Sequence, residues 1–548
     1  MTWAMPPVER NQLVLFETTL DDVIPEDHLV RFVDVILRGL DWSKFEQTYH
    51  GTLGARPVHP RVLASIIIYG QFTRVRSSRQ MEAALWVRLD FKWLAEGFRI
   101  DHSTLSIFRT RFDTLLKGIN TQFGIQAFQM GMTTLTQFGF DGTRIKASNA
   151  RSRMVAVDEL EELEQNLQQS FTEFQEQAAR EDACDEEELG GASLHRVSAE
   201  DLKKVENRLA AVRKAQAEVA RVKAAGEAVP ERIGLTDPES RLSPNKEGGF
   251  APNYTPLANV DLESGLILEG SVIQNTDEEQ YLVSSIESLE ASFAEAGFDL
   301  HVESMTADSK FVTGPNLASL AERNTTFYGP IDKQPEFVKR GDGSVPIPAE
   351  KWSELPTTVV RKAAKGEPAQ VQLTKAAFVY DAATKSYWCP NGEQLKYAGK
   401  TSELRPGTER RLERERYESD PVKCAACLLK AKCFKGDGEK RSLSRDQFDE
   451  HRDALRERMT EPDSQEKQQV RQSEGERPFA VVKHQFGNRQ FLLRGQETVS
   501  AEWSWMTTAA NLQVMIRLWR QYIVETGSAF IKPLRARGAP ASPIEVGP

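Results

Sequence analysis

The chain has 548 residues, a net charge of −10, 27% charged and 40% hydrophobic residues, which is the balance of a globular protein larger than one compact domain rather than of a fibrous or repeat array. No apolar run approaches the ~20 residues needed to cross a bilayer, and the first residues, MTWAMPPVERNQ, lack an apolar signal-peptide core, so a cytoplasmic protein is expected. The acidity is local. Residues 155–190 hold thirteen acidic residues and one basic one, Arg180, a sum of −12 that leaves +2 for the rest, so a nucleic-acid partner is not excluded.

Residues 1–120 read as a helical N-terminal domain. In IPEDHLVRFVDVILRGL, Pro25 stands near a helix start and Leu29, Phe32, Val33 and Ile36 recur at helical spacing. HPRVLASIIIYGQFTRV and SSRQMEAALWVRLDFKWLAEG give further helices. In DHSTLSIFRTRFDTLL, Ser103 or Thr104 is the expected cap of a helix carrying Arg109 and Arg111. Such a domain suits DNA-end binding, or equally a scaffold or dimerisation role.

The pattern changes near Thr133. TTLTQFGFDGTRIKAS alternates as a strand, with Gly139 and Gly142 flanking Asp141. Two charged segments within 155–230 read as an inserted helical hairpin. NYTPLANVDLESGLILEGSVIQN gives two strands joined by a Glu-Ser-Gly turn. A helix, a strand ending on Asp308, another helix and another strand follow. Strand, hairpin, helix, strand ending in Asp, then helix is the order of a ribonuclease-H-like α/β core with a mixed sheet. Its first part spans 130–335. An insertion domain with clustered cysteines is expected at 336–465 and the C-terminal part of the core at 466–526, closed by a helix in AEWSWMTTAANLQVMIRLWRQYI. Residues 527–548 are expected to be a disordered tail.

Three acidic residues stand where metal-dependent phosphoryl transfer needs carboxylates. Asp141 lies in an apolar strand, where burial without a partner is costly; a solvent-facing Asp-Gly turn is the alternative. Asp308 ends a strand, where open α/β sheets bind ligands, and could instead cap a helix. Glu476 precedes Lys483 by seven residues, so a continuous helix puts both on one side. Glu474 is its rival. Arg471, Arg477, Lys483, His484, Arg489 and Arg494 crowd the same region and suit phosphate contacts, as does a solvated basic helix. Cys389, Cys424, Cys427 and Cys433, the last three as C-x-x-C-x5-C, fit either a tetrahedral thiolate zinc site or reduced thiols in a small core.

The chain resembles bacterial insertion-sequence transposases of the DDE type that carry a helical N-terminal domain. LDDVIPEDHLVRFVD, HPRVLASIIIYG, VRSSRQME, FKWLAEG and DHSTLSIFR carry the N-terminal resemblance; FDGTRIKAS, ANVDLESGLI, TADS, the ERPF segment and FGNRQFLLRG carry the rest. The resemblance implies that Asp141, Asp308 and Glu476 bind two Mg²⁺ ions, with Mn²⁺ able to substitute. It also implies that Arg471, Glu476 and Lys483 match three positions of a tyrosine-arginine-glutamate-lysine signature. Gln468 replaces its tyrosine, and Ala480 stands where many relatives have glycine. The implied partners are the element's terminal inverted repeats and target DNA, with oligomerisation on DNA. Arg471 and Lys483, joined by Arg489 and Arg494 of the basic segment, are the expected phosphate contacts. A ribonuclease-H-like nuclease without strand transfer, a non-catalytic DNA-binding protein and an inactive transposase copy are the competing readings.

Overall fold

The computed structural model describes residues 19–49, 57–189, 199–245, 248–332, 334–338, 343–361, 370–404, 411–434 and 438–526. The expected disordered tail, 527–548, lies outside the described residues.

The chain opens with helices. Helix α1 (Leu29–Arg38) buries Val30, Val33, Ile36 and Leu37 along one stripe, as the apolar spacing dictates. Helix α2 (Pro60–Phe72) begins with Pro60 in its first turn, and the ring of His59 accepts the Arg61 N–H at 3.1 Å. It is buried nearly all round, which marks a central helix. A reciprocal Ser77–Gln80 box starts α3 (Ser78–Val87). Helix α4 (His102–Arg111) is capped by Asp101, not by Ser103 or Thr104. Its carboxylate accepts the Thr104 N–H at 2.7 Å and the Ser103 hydroxyl at 2.6 Å, bonds that lower its pKa to about 2. The Asp101 carboxylate, two residues before Ser103, takes the orphan amide, and the two hydroxyls donate to it. Arg109 is buried and donates to the Arg76 carbonyl at 2.9 Å, so of this helix's two arginines only Arg111 is exposed. Helix α5 (Asp113–Gln129) leads into the sheet.

The central strands are β1 (Gln137–Gly142), β2 (Phe250–Asp261), β3 (Ile267–Ile273), β4 (Ser304–Thr306) and β5 (Thr326–Tyr328), in the order β3-β2-β1-β4-β5. Strand β2 runs antiparallel to both neighbours, whereas β1, β4 and β5 are mutually parallel, so the sheet is mixed. The expected Glu-Ser-Gly turn joins β2 to β3, with Gly265 at φ +80°. Between β1 and β2 stand the long helices α6 (Leu160–Leu189) and α7 (Ala199–Ala224), whose own apolar seam includes Leu160, Leu167, Leu209 and Val212. Helices α8 (Leu282–Glu295) and α9 (Gly314–Glu322) supply the crossovers that parallel strands require.

The cysteine-bearing region forms a separate antiparallel sheet of β6 (Val379–Asp381), β7 (Ser386–Trp388), β8 (Gln394–Leu404), β9 (Arg411–Glu418) and β10 (Ser442–Asp446). Its core gathers Leu373, Phe378, Tyr387, Leu395, Tyr417 and Phe434. The chain returns to the main core sooner than residue 465. In α10 (Asp449–Arg458), Leu455 already packs there, and Met459 follows.

Helix α11 (Pro462–Val470) precedes a helical stretch, residues 471–485, and α12 (Gln496–Thr526) ends the described chain. Helix α12 joins the N-terminal helices to the sheet. Trp503 donates to the Leu257 carbonyl of β2, and Trp505 to the Arg109 carbonyl of α4. Asn511 bonds both the N–H and the carbonyl of Ile267 and also Asn120 on α5. One apolar core therefore runs from Val30 through Phe123, Phe140 and Ile267 to Met515. Among the described residues, no helix is long and apolar enough to cross a membrane.

Candidate active site

Strands β1 and β4 pair in parallel with Gln137 opposite Ser304 and Gly139 opposite Thr306. Extending that one-to-one register by two residues sets Asp141 opposite Asp308, just past the end of β4. Positions two apart share a face of the sheet, and neighbouring strands lie about 4.8 Å apart. Two carboxylates 167 positions apart in sequence thus lie just beyond the same end of the β1–β4 pairing. Both are half-buried.

Asp141 sits within the β1–β2 ladder opposite Ala258 and accepts the Gly142 N–H at 2.8 Å. Asp308 accepts the Ser309 N–H at 2.5 Å and so caps the turn that follows β4. The alternative expected for it, a capping role, is therefore present.

A third carboxylate here escaped the sequence reading. Glu278 is 4% exposed and ion-paired to Lys310, two residues after Asp308. Burial raises its pKa; Lys310 opposes that shift and nearby Asp141 adds to it. Glu278 lies over Gly142 so closely that a Cβ there would overlap its carboxylate. Gly142 is thus demanded by this close approach.

Residues 471–485 run beside β1. Two wide turns, Arg471–Gly475 and Val481–Gln485, flank an α-turn at Arg477–Ala480. Arg471 is buried, its arm lies across Gly139, and its guanidinium stands 3.9 Å from the Asp141 carboxylate. Lys483 reaches the Thr143 hydroxyl, two residues beyond Asp141. Glu476 is exposed at the junction between the first wide turn and the α-turn. The expected alignment of Glu476 with Lys483 assumed unbroken α-helix; wide turns take up extra residues and shift that register. Glu474, the rival, pairs with Arg477 at 3.4 Å and faces Gly265 and Arg517 at the β2–β3 turn, the other end of the strands. Arg489 donates to His484 at 3.0 Å, and Arg494 to the Ser148 carbonyl at 3.1 Å.

The structure therefore gathers Asp141, Asp308, Arg471 and Lys483 about the end of β1 and adds Glu278 and Lys310. Among the described residues, no three His, Cys, Asp or Glu side chains already form a metal cage, whether of carboxylates or thiols. The oxygen donors at the β1–β4 edge nevertheless suit a hard divalent cation, and the basic groups beside them suit phosphate.

A family model of the transposase DDE domain matches residues 388–516, a span with Arg471, Glu476, Lys483 and all four clustered cysteines. A second, a transposase domain (DUF772), matches residues 18–111, the N-terminal helices. Asp141 and Asp308 lie outside both spans. No curated protein matches the chain. Transposase domains matched towards each end of the chain, the C-terminal one of the DDE type, support an insertion-sequence transposase of that type.

Proposed function

We propose that the protein cuts DNA at the ends of an insertion sequence and joins the freed ends to target DNA, with Asp141, Asp308 and Glu476 as its metal-binding carboxylates. The observation that supports this reading is the parallel register of β1 against β4, Gln137 to Gly139 opposite Ser304 to Thr306, with Asp141 and Asp308 each two residues beyond its last pair. The strand order β3-β2-β1-β4-β5, with only β2 antiparallel to β1, supports a ribonuclease-H-like core.

Mg²⁺ or Mn²⁺, two ions in this reading, supplies Lewis-acid stabilisation of phosphoryl oxygens and a water of lowered pKa when bound. Asp141 and Asp308 hold their places through the ladder and the turn amide, so little ordering remains to be done on binding. Glu476 completes the set by turning inward between its two wide turns, a form of helix that recurs where a segment must adjust. Arg471 offers a planar fork and Lys483 a point charge to the phosphates flanking the cut. Cleavage adds water across a phosphodiester and leaves a 3′-hydroxyl. Strand transfer then exchanges one phosphodiester for another as that hydroxyl attacks target DNA. The exposed Arg111, Arg489 and Arg494 are the contacts assigned to DNA outside the reacting bond, and synapsis of two element ends calls for an oligomer.

The test is Mg²⁺-dependent cleavage and joining on DNA with the flanking repeats, comparing the parent chain with Asp308→Ala. Cutting and joining by the parent, with both reduced at least about 100-fold in the variant, support the reading. Cutting without joining points to a nuclease. A folded, DNA-binding parent that cuts no better than the variant overturns the catalytic reading.

A further inference from the structure

The small antiparallel domain holds a constellation that the proposed chemistry does not use. Cys389 follows β7, Cys424 closes a short turn of helix at Pro421–Ala425, Cys427 lies two residues beyond it, and Cys433 ends another at Lys430–Cys433. All four thiols line one cavity of about 30 Å³, walled by Leu373, Phe378, Leu395, Leu429 and Phe434. None forms a disulfide.

The turn after β7, Cys389-Pro390-Asn391-Gly392-Glu393, is shaped around a sulfur. The Cys389 N–H donates to the Glu393 carbonyl and the Gly392 N–H to the Cys389 carbonyl, each at 2.9 Å. The Glu393 N–H donates to Cys389 Sγ at 3.4 Å. Gly392 has φ +80°, and a Cβ there would also strike the Ser344 carbonyl, so only glycine fits. Backbone amides aimed at sulfur favour thiolate, the form that binds metal. A neutral thiol in a plain apolar core has no need of them.

We propose that Cys389, Cys424, Cys427 and Cys433 form a structural tetrathiolate zinc site that ties the β7–β8 turn to the two helical turns before β10. The four thiols approach the same space from three separate segments, which is the arrangement that a four-coordinate closed site needs. Zinc–sulfur bonds of about 2.3 Å draw the sulfurs inward around that cavity. Arg441, which lines the cavity and donates to the Cys433 carbonyl at 2.8 Å, and Lys423 offset the net negative charge of such a site.

The experiment is metal analysis of the full-length chain purified without chelator, together with the absorption spectrum after cobalt replaces zinc. One zinc per chain is expected, lost in Cys424→Ser/Cys427→Ser and retained in Cys184→Ser. The cobalt form is expected to show the visible bands of tetrahedral geometry and the charge-transfer band of thiolate ligands. Should the double variant fail to fold, the cobalt spectrum of the parent decides alone. A folded parent without zinc that takes up no cobalt overturns the site, as does zinc retained in full by the double variant. DNA cleavage does not enter this measurement, so its outcome is independent of the catalytic proposal.

Discussion

Gly142 shows how much of this site rests on what a residue lacks. It follows Asp141 directly, and the Glu278 carboxylate occupies the place where its side chain would be, with Leu257 close behind. Gly142→Ala must therefore push aside a buried, ion-paired carboxylate beside the two aspartates. The expected cost is about 1–3 kcal/mol in urea unfolding, of the size found for overpacked cores, with a clear fall in DNA cleavage. Gly118→Ala on α5 is the control. Nothing stands within 4 Å of its added Cβ, so it should gain about 0.5–1 kcal/mol from the better helix former. Equal effects at the two sites would refute the packing argument. Asp141 and Asp308 stand out in the sequence because one lies within a short apolar strand and the other follows just after one. Glu278 is not, since its neighbours Asp277 and Glu279 are acidic too and only the fold selects which one turns inward. Arg109 is the converse case: its residue type suggests DNA, while its burial assigns it to the core.

Elements announce themselves by period, and most of those expected here are present: the helices before residue 130, the inserted hairpin, the β2–β3 turn and the crossover helices. What periodicity cannot convey is a change of winding inside a helix, so the wide turns at 471–485 and the exposed setting of Glu476 come only from the structure. The β2–β3 turn carries a consequence of its own. Asp261 is fully buried at the end of β2, accepts the Ser264 N–H at 3.0 Å and also bonds the Ser264 hydroxyl. Burial raises its pKa to about 6 from an ordinary 3.8, against the pull of Ser264 and Thr133. The folded state thus favours the proton. This group's contribution is fully present below pH 4 and is lost as pH rises through 6, an effect of order 3 kcal/mol. Other carboxylates titrate in the same range, so the difference from Asp261→Asn isolates it. The stability of that variant relative to the parent should rise between pH 4 and 7 in urea titrations. A difference that stays flat across that range removes Asp261 as the cause.

At the scale of the molecule, the chain is divided less by sequence order than by which cores its segments share. Residues 1–120 look like a domain in sequence, since helices come first and strands later. The faces of α2, α4 and α5 that look like a private core are instead completed by α12, with Trp505 against α4 and Asn511 against α5, nearly 400 residues downstream. Glu502 adds a polar tie. Buried on α12, it accepts the N–H groups of Leu492 and Leu493 and pairs with Arg76 from the N-terminal helices. No local pattern could reveal this, because a helix apolar on several sides does not say which partners it separates. The small β-sheet domain has a core of its own. Calorimetry of the full chain should therefore resolve two main transitions, not three. One unfolds the N-terminal helices together with the central sheet; the other unfolds the cysteine-bearing domain. Glu502→Gln, which weakens the tie while leaving the small domain untouched, should lower only the first, by about 3–5 kcal/mol for a broken buried pair. Zinc chelation should lower only the second. A fragment that ends at residue 129 leaves the faces buried by Trp505 and Asn511 open to water, and it should show no cooperative unfolding. A sharp transition in that fragment would mean that the N-terminal helices are an independent unit after all, and that α12 merely docks onto a surface already formed.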